Sequence, residues 1–368
     1  MNGSADEQVK LLLDSLRLYS PTGSESRYAS FLADRMELMG YRRVRIDRAG
    51  NVLGEVGRGE VSLLLCGHMD TVPGELPVRK TRGSIYGRGA ADAKAPLCAL
   101  LLAGIAAADA GISITLAGVT EEEGDGAGIE RLIKSPRRFD YAIFGEPGGA
   151  GRITVAYRGR VALHVTVKTE GGHAGSPWAY RSAFNEFVTT LEKLREYERS
   201  KEVPGDRFRS LSVTPTLVRA GSYQNVVPGI CEATLDMRIP PSLPSSKAVS
   251  EVRSIAERSG EGVRVAIEPG GPTEAYEVDS GSLLLRSLQR AIILRLRTRP
   301  SLIRKTSTGD MNTFAHEKRT ECVTYGPGVS STSHTDAEAV QISDYLSSIE
   351  VLKEAFKQLV SLGKSDSV

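Results

Sequence analysis

The 368-residue sequence has few cysteines and no excess of charge of either sign. Its four cysteines are far apart, which argues against a zinc ribbon or a Cys-x-x-Cys redox site and is typical of buried thiols in a reducing compartment. The 47 basic residues are balanced by 45 acidic residues, so charge does not indicate a nucleic-acid partner.

Long apolar segments are also lacking. Residues 1–10 are polar and do not contain the apolar core of a secretory signal peptide. The most apolar stretch, Ala95 to Ala108, is too short to cross a bilayer. We therefore expect a cytoplasmic protein with no membrane partner.

Three nearly continuous apolar runs are the clearest structural signal in the chain. The runs Val61–Cys66, Ile112–Val119 and Tyr141–Phe144 indicate buried strands, and helical stretches separate them. This alternation predicts an α/β protein with a mostly parallel, helix-covered sheet.

The pattern changes near residue 153, where pairs of strands begin to alternate with single helices. The chain is also longer than one hydrophobic core usually supports, so two domains are expected. We predict a first domain formed by residues 1–152 and 273–368. A smaller α+β domain, residues 153–272, is inserted into it.

Acidic and histidine side chains follow the three predicted strands. His68 and Asp70 come after the first strand, the run Glu121–Glu123 after the second, and Glu146 after the third. Because the carboxyl ends of strands in an open parallel sheet converge on one crevice, we expect these side chains to lie close together.

Two further residues complete a set of metal-binding groups. Asp92 precedes a long apolar helix, where a carboxylate could act as a helix cap even without a metal, and His334 lies in a late polar segment. Histidine and carboxylate ligands without thiolates suit zinc, cobalt or manganese. We take zinc as the default ion and cobalt as the alternative.

A pair of such ions can promote hydrolysis of an amide bond. Two divalent ions can share a water, lower its pKa and polarise an amide carbonyl. A nearby carboxylate that binds no metal must then accept the proton of the water. The run Glu121–Glu123 can supply both a ligand and that base.

The sequence resembles the acetylornithine deacetylase, succinyl-diaminopimelate desuccinylase and carboxypeptidase G family of metallopeptidases and aminoacylases. The resemblance implies a dinuclear metal-dependent amidohydrolase, in which the larger domain is catalytic and the insertion is a lid and dimerisation domain, so we expect a homodimer. The matching stretches appear in the family's order and are Gly67-His-Met-Asp-Thr-Val-Pro73, residues 87–94, Thr120-Glu-Glu-Glu-Gly124, Phe144-Gly-Glu-Pro147 and Ser333-His-Thr335.

The resemblance also implies a role for each ligand. It implies that Asp92 bridges the two metal ions. His68 and Glu146 then complete the binding of one ion. Glu123 and His334 complete the binding of the other.

The same resemblance implies that Glu122 is the general base and that Asp70 orients the metal-bound ring of His68. The family's usual run is Asp-Glu-Glu, whereas this chain has three glutamates, Glu121 to Glu123. The assignment of base and ligand within the run can therefore shift by one residue.

Three residues outside the metal set match positions of the family that contact the substrate. His173 matches a histidine that reaches a neighbouring active site and stabilises the oxyanion, although it could instead bond the glycine-rich turn around it. Asn225 and Arg238 match substrate-binding positions, with ordinary strand polarity as the alternative. Asp310, in Ser307-Thr-Gly-Asp310-Met-Asn, is a further predicted substrate contact.

The stretches 305–312 and 325–328 look most like those of archaeal and Thermus-type members of the family. Those enzymes release lysine or ornithine from the γ-carboxyl of the terminal glutamate of an amino-group carrier protein. The resemblance therefore implies an acidic carrier protein as substrate and a place in lysine or arginine biosynthesis. The alternatives are acetyl-lysine or acetylornithine deacetylase, succinyl-diaminopimelate desuccinylase, dipeptidase, or a non-catalytic metal-containing binding protein.

Overall fold

The structure is a computed structural model, and it describes residues 4–106, 110–260, 262–268 and 271–365. The chain forms two compact units, each described here by itself. Unit 1 comprises Met1–Val155, Val278–Ile303 and Phe314–Val368, and unit 2 comprises Ala156–Glu277 and Arg304–Thr313.

The predicted boundaries place Arg304–Thr313 in the first domain, whereas in the structure these residues belong to unit 2. Three hydrogen bonds within unit 2 explain the difference. Asn312 Nδ2 donates hydrogen bonds to the backbone oxygens of Arg158 and Glu274, and Thr308 Oγ1 donates to the backbone oxygen of Arg158. These partners are far apart in sequence, so no local pattern reveals them.

The α-helices begin where the sequence provides capping groups or apolar periodicity. The first of them starts with a capping box, in which Ser4 and Glu7 each accept a hydrogen bond from the other's backbone N–H. The described α-helices are α1 (Ala5–Leu16), α2 (Ser26–Leu38), α3 (Lys94–Gly104), α4 (Ala127–Lys134), α5 (Ala183–Ser200), α6 (Ser245–Ser259), α7 (Leu283–Leu296), α8 (Asp310–Lys318) and α9 (Ile342–Ser365).

The strands include all three apolar runs predicted to be buried. The predicted helix over Ala95–Ala108 is present as α3 up to Gly104, and its last two residues lie outside the described residues. The strands are β1 (Arg42–Ile46), β2 (Val52–Val56), β3 (Val61–His68), β4 (Arg79–Lys80), β5 (Ser84–Tyr86), β6 (Ile112–Val119), β7 (Tyr141–Phe144), β8 (Arg152–Tyr157), β9 (Gly159–Lys168), β10 (Gly172–His173), β11 (Ser212–Ala220), β12 (Val226–Val227), β13 (Ile230–Ile239), β14 (Val263–Ile267), β15 (Tyr276–Glu277), β16 (Ser301–Lys305), β17 (Glu321–Thr324) and β18 (Ala339–Gln341).

The main sheet of unit 1 has the order β1-β2-β6-β3-β7-β17-β8. Its four central strands, β6, β3, β7 and β17, are parallel to their neighbours within the group. The flanking strands β1, β2 and β8 pair antiparallel, so the sheet is mixed and the prediction of parallel strands holds for its centre. The turn 47–51 joins β1 to β2 and is too short for a parallel crossover.

Unit 2 contains a four-stranded antiparallel sheet with the order β11-β13-β9-β14. Along β9 buried and less buried residues alternate, as expected for a sheet that packs on helices with one face. Its core includes Val165 and Leu235 of the sheet together with Leu194 of α5 and Val252 of α6.

None of the described helices combines the length and the apolar character that a bilayer crossing requires.

Candidate metal centre

The pairing of β3 with its neighbours brings three polar loops to one edge of the sheet. His68, the last residue of β3, lies opposite Val119 of β6, and Cys66 lies opposite Phe144 of β7. The glutamate run and Glu146 therefore start beside His68, as the convergence of parallel strands predicts.

Asp92 lies between two histidines. Its Oδ1 is 3.2 Å from Nε2 of His68, and its Oδ2 is 3.4 Å from Nε2 of His334. Ala93 occupies the N-cap position of α3 without a side-chain hydrogen bond, so Asp92 does not act as the cap that was its alternative role. Each carboxylate oxygen of Asp92 thus faces a different imidazole.

The other two predicted ligands each approach one of these histidines. Glu146 Oε1 lies 3.8 Å from His68 Nε2, and Glu123 Oε1 lies 2.7 Å from His334 Nε2. The five side chains form two overlapping groups that share Asp92. Ligand atoms of His68, Asp92 and Glu123 all lie within 4.8 Å of one another.

The ring of His68 is held from its other side by Asp70. Nδ1 of His68 lies 3.0 Å from the backbone oxygen of Asp70 and 3.3 Å from its Oδ1. Because a carbonyl oxygen can only accept, Nδ1 donates to it, so whenever the ring is neutral its Nε2 lone pair is available to a cation. Burial opposes a positive charge on this ring, yet contacts with Asp70 and Asp92 raise the pKa of His68 well above its ordinary value.

The buried carboxylate of Asp70 also holds the backbone of the glutamate run. It accepts hydrogen bonds from the amides of Glu122 at 3.1 Å and Glu123 at 3.0 Å, and from Thr22 Oγ1 at 2.9 Å. Burial alone would raise the pKa of Asp70, but its bonds to His68 and to these donors lower it. One carboxylate therefore orients both a ligand ring and the turn that carries the candidate base.

The glutamate run is part of a tight turn after β6. Glu121 has a positive φ of 58°, and its carbonyl oxygen accepts hydrogen bonds from Gly124 and Gly126. Its own amide donates to Glu25 Oε1 at 3.2 Å. At Gly128 an added Cβ would lie 2.4 Å from the backbone oxygen of Thr120, so only glycine permits this close return of the chain.

Glu122 is partly buried and lies close to the other carboxylates of this group. Burial raises its pKa to about 7, with His68 lowering it and the charges of Glu123, Asp92 and Asp70 raising it. A carboxyl group with a pKa near neutrality is well suited to proton transfer at neutral pH.

Neighbouring carboxylates also shift the pKa of the second histidine, His334. The hydrogen bond to Asp92 raises the pKa of His334 to about 9 despite partial burial, and Glu123 contributes in the same direction. Burial in turn raises the pKa of Glu123.

This set of residues fits a pair of divalent cations. Five carboxylates and two imidazoles converge, and the mutual repulsion of buried carboxylates is relieved by cations. The donors are oxygen and nitrogen without thiolate, a set that suits zinc, cobalt or manganese. The residues in this group are His68, Asp70, Asp92, Glu122, Glu123, Glu146 and His334, all in unit 1.

The predicted substrate contacts His173, Asn225, Arg238 and Asp310 all belong to unit 2. His173 is paired with Val226 across β10 and β12, and the Asn225 backbone oxygen accepts a hydrogen bond from the next residue after His173. The structure therefore places His173 and Asn225 side by side. Asp310 is the first residue of α8.

The exposed ring of His173 is fixed by its own turn. Its Nδ1 accepts a hydrogen bond from the amide of Gly175 at 3.0 Å. In the neutral ring Nε2 then carries the proton and can donate it. At Gly172 a Cβ would lie 2.4 Å from the ring of Tyr180, so the turn needs glycine beside the histidine.

Arg238 is oriented by residues of unit 2. Its Nε donates to Asp236 Oδ1 at 2.6 Å, and its Nη1 donates to Thr308 Oγ1 at 3.2 Å. Asp236 also pairs with Arg160 at 2.7 Å. These contacts are compatible both with substrate binding and with ordinary strand polarity.

Four residues that the sequence patterns did not indicate hold the loops of the candidate metal centre: Thr22, Glu25, Arg88 and Glu338. Arg88 lies within the matching stretch 87–94, which was the signal available for it. Thr22, Glu25 and Glu338 follow no motif or periodicity that indicates a contact with the site.

These observations define the protein's class. Residues 64–358 match peptidase family M20/M25/M40, and the chain belongs to this family. Aminopeptidase PepT from Bacillus cereus has the same fold, with a TM-score of 0.82 and 18% identity over 97% of this chain and 99% of that chain. The Bacillus subtilis YXEP protein, described as a dinuclear metal binding peptidase, gives a TM-score of 0.71 with 12% identity over 98% of both chains.

More similar relatives narrow the class. A Pyrobaculum aerophilum protein is 35% identical over 95% of this chain and 97% of its own length. A Sulfurisphaera tokodaii protein, 31% identical over 95% of both chains, is named [LysW]-lysine/[LysW]-ornithine hydrolase. A Deinococcus radiodurans protein, 31% identical over 98% of this chain and 99% of its own, is named [LysW]-lysine hydrolase. The predicted family, α/β fold and hydrolase class are confirmed; the roles of individual site residues stay predictions.

Asp70→Asn tests how the carboxylate of Asp70 supports the centre. Asparagine offers one acceptor oxygen in place of two, so it cannot serve the amides of Glu122 and Glu123 and the ring of His68 together. We expect metal affinity to fall by about 10- to 100-fold, measured by competition with a chromophoric chelator. Asp14→Asn, in a surface ion pair on α1, is the control; equal affinities in both variants would contradict the assignment.

Proposed function

We propose that this protein is a two-metal amidohydrolase that releases L-lysine or L-ornithine from the terminal γ-glutamyl group of an acidic amino-group carrier protein. The observation that carries the chemistry is the carboxylate of Asp92 facing His68 and His334 with its two oxygens, with Glu122 close by. The names of the Sulfurisphaera and Deinococcus relatives support the substrate. We further propose a cytoplasmic reaction in lysine or arginine biosynthesis.

We propose zinc as the resident metal, with cobalt as the alternative. Asp92 would bridge two ions, His68 and Glu146 would complete one, and Glu123 and His334 the other. Bound ions of this kind polarise an amide carbonyl and lower the pKa of a water.

Glu122 is the proposed general base. It accepts a proton from the attacking water as the water oxygen bonds to the carbonyl carbon, and it returns the proton to the leaving nitrogen as the carbon–nitrogen bond breaks. The products are the γ-carboxyl group of the carrier and the free amino acid. Asp70 supports this transfer because it binds the amide of Glu122 and keeps His68 in one tautomer.

Residues of unit 2 are the proposed substrate contacts. His173 donates from Nε2 to the developing negative charge on the amide oxygen, in the active site of the partner subunit. The bond from Gly175 to Nδ1 supports this role because it leaves the proton on Nε2. Asn225, Arg238 and Asp310 are proposed to contact the substrate.

We also propose a homodimer formed through unit 2. The edge strand β11 exposes Leu217 and Val218 by 58% and 44%, and α5 exposes Phe184 and Val188, which lie one turn apart. A long edge strand next to exposed apolar side chains favours pairing with another chain.

The combined substitution Leu217→Glu and Val218→Glu tests this dimer. Charges on the edge should oppose association, so sedimentation should show the chain mass of 39.6 kDa, against twice that mass for the wild type. Ile267→Glu, on the opposite edge strand β14, is the matched control and should remain dimeric. A monomeric wild type would contradict the proposal.

Metal removal and a substrate panel test the activity. Dialysis against a strong chelator should abolish hydrolysis of the carrier conjugate, and zinc or cobalt should restore it. The same panel should contain acetyl-lysine, acetylornithine, succinyl-diaminopimelate and dipeptides, with release of the amino acid as readout. Faster turnover of a small substrate would favour that enzyme, and full metal content without any turnover would favour a binding protein.

Glu122→Gln tests the identity of the base. Loss of the proton acceptor should lower kcat by about 10²- to 10⁴-fold while metal content stays at the wild-type level, because Glu122 is not a proposed ligand. Glu121→Gln is the matched control, one residue away, and should retain activity. If Glu121→Gln loses activity instead, base and ligand are shifted by one residue within the run.

A further inference from the structure

A buried ion pair connects two loops of unit 1 that are distant in sequence. Arg88 and Glu338 are 6% and 1% exposed, and Arg88 Nη1 lies 2.7 Å from Glu338 Oε2. Burying two opposite charges contributes little net stability, because desolvation offsets their attraction. The role of this pair therefore lies in the backbone segments that it holds in place.

Glu338 holds the backbone at Asp92. Its Oε1 accepts hydrogen bonds from the amides of Ala91 and Asp92, each at 3.0 Å. Its Oε2 accepts from Arg88, which lies at the start of the same loop. The carboxylate thus fixes the chain on both sides of the loop that presents the shared ligand.

Arg88 extends the contact to the segment of the second histidine. Its Nη1 also donates to the backbone oxygen of Thr335 at 3.3 Å, and its Nε donates to that of Gly74 at 2.9 Å. Thr335 directly follows His334, whose φ of 63° is unusual for a residue other than glycine. The guanidinium therefore ties the His334 turn to the loop of Asp92.

We propose that Arg88 and Glu338 are positioning residues that set the separation of Asp92 and His334 and thereby control binding of the metal ion held by Asp92, Glu123 and His334. The inference rests on the proposed two-metal function. The remaining ligands of the other ion, His68 and Glu146, lie at the end of β3 and just after β7, on segments other than the two loops that this pair joins. Weakening the pair should affect one ion more than the other.

A glutamine side chain cannot make all the hydrogen bonds that Glu338 accepts. Two backbone N–H groups and a guanidinium all need acceptors there. Glutamine has one acceptor oxygen, so its NH₂ group must face either the two amides or Arg88. At least one part of the contact is then lost without a change in side-chain length.

Glu338→Gln is the test, with Co²⁺ as the probe. Calorimetric titration of the metal-free wild type should show two ions per chain, and visible absorption should report the ligand geometry of each. In Glu338→Gln one of the two sites should lose about 10- to 100-fold in affinity and its absorption should change, while the other ion binds as before. Glu55→Gln, which removes an ion pair with Arg137, is the control and should match the wild type.

Arg88→Lys is the second variant, used also if Glu338→Gln does not fold. Lysine keeps the positive charge beside Glu338 but has a single nitrogen, so the bonds to Thr335 and Gly74 cannot both be kept. The same selective loss is expected. Wild-type affinity and absorption in the variants, or equal weakening of both ions, would overturn the inference.

The wild-type titration separates this inference from the proposed function. If the wild type binds fewer than two ions or does not hydrolyse the conjugate, the proposed function fails, and the inference fails with it. If the wild type does both and the variants bind the two ions equally well, only the role of Arg88 and Glu338 is wrong.

Discussion

The candidate metal centre depends on one interaction, the placement of the Asp92 carboxylate between His68 and His334. Each oxygen faces one imidazole, so a single side chain defines two neighbouring positions for positive charge. Glu146 and Glu123 then add one carboxylate on each side. Burial would raise the pKa of Asp92, but its hydrogen bonds to the two histidines hold it well below its usual range. The group therefore favours cations even before any ligand geometry is considered.

The loops that carry these groups are irregular, and buried polar side chains replace regular secondary structure in holding them. Asp70 and Glu25 bind the amides of the glutamate turn, and buried Asn51 binds both Thr120 and Gly128 at its two ends. The acceptors of Asp70, Glu25 and Asn51 all have donors, and an unsatisfied buried acceptor would cost about 1–3 kcal/mol. A network of this kind is rigid as long as every member is satisfied, and rigidity is what a metal site requires of its supporting residues.

The sequence predicted those site residues that directly follow a buried strand. The runs that became β3, β6 and β7 are nearly continuous in apolar residues, so their ends, and the acidic groups after them, could be located without the structure. The antiparallel flanks of the sheet depend on turn lengths and pairings that apolar content does not encode. Glu338 was missed because its bonds to Asp92 and Arg88 join residues 246 and 250 positions apart. A lone glutamate with no local pattern gives no indication of such a contact.

The choice between Glu121 and Glu122 shows what the structure adds to a sequence motif. The sequence does not distinguish the three adjacent glutamates, but each has a different position in the turn. Glu121 takes the positive φ and uses its backbone oxygen and amide to close the turn. The amides of the next two residues are both bound by Asp70, which also orients His68. The carboxylate that orients the ligand ring therefore fixes Glu122 and Glu123, and of these Glu123 is already paired with His334. The turn geometry is thus consistent with the prediction that Glu122 is the general base and Glu123 a metal ligand.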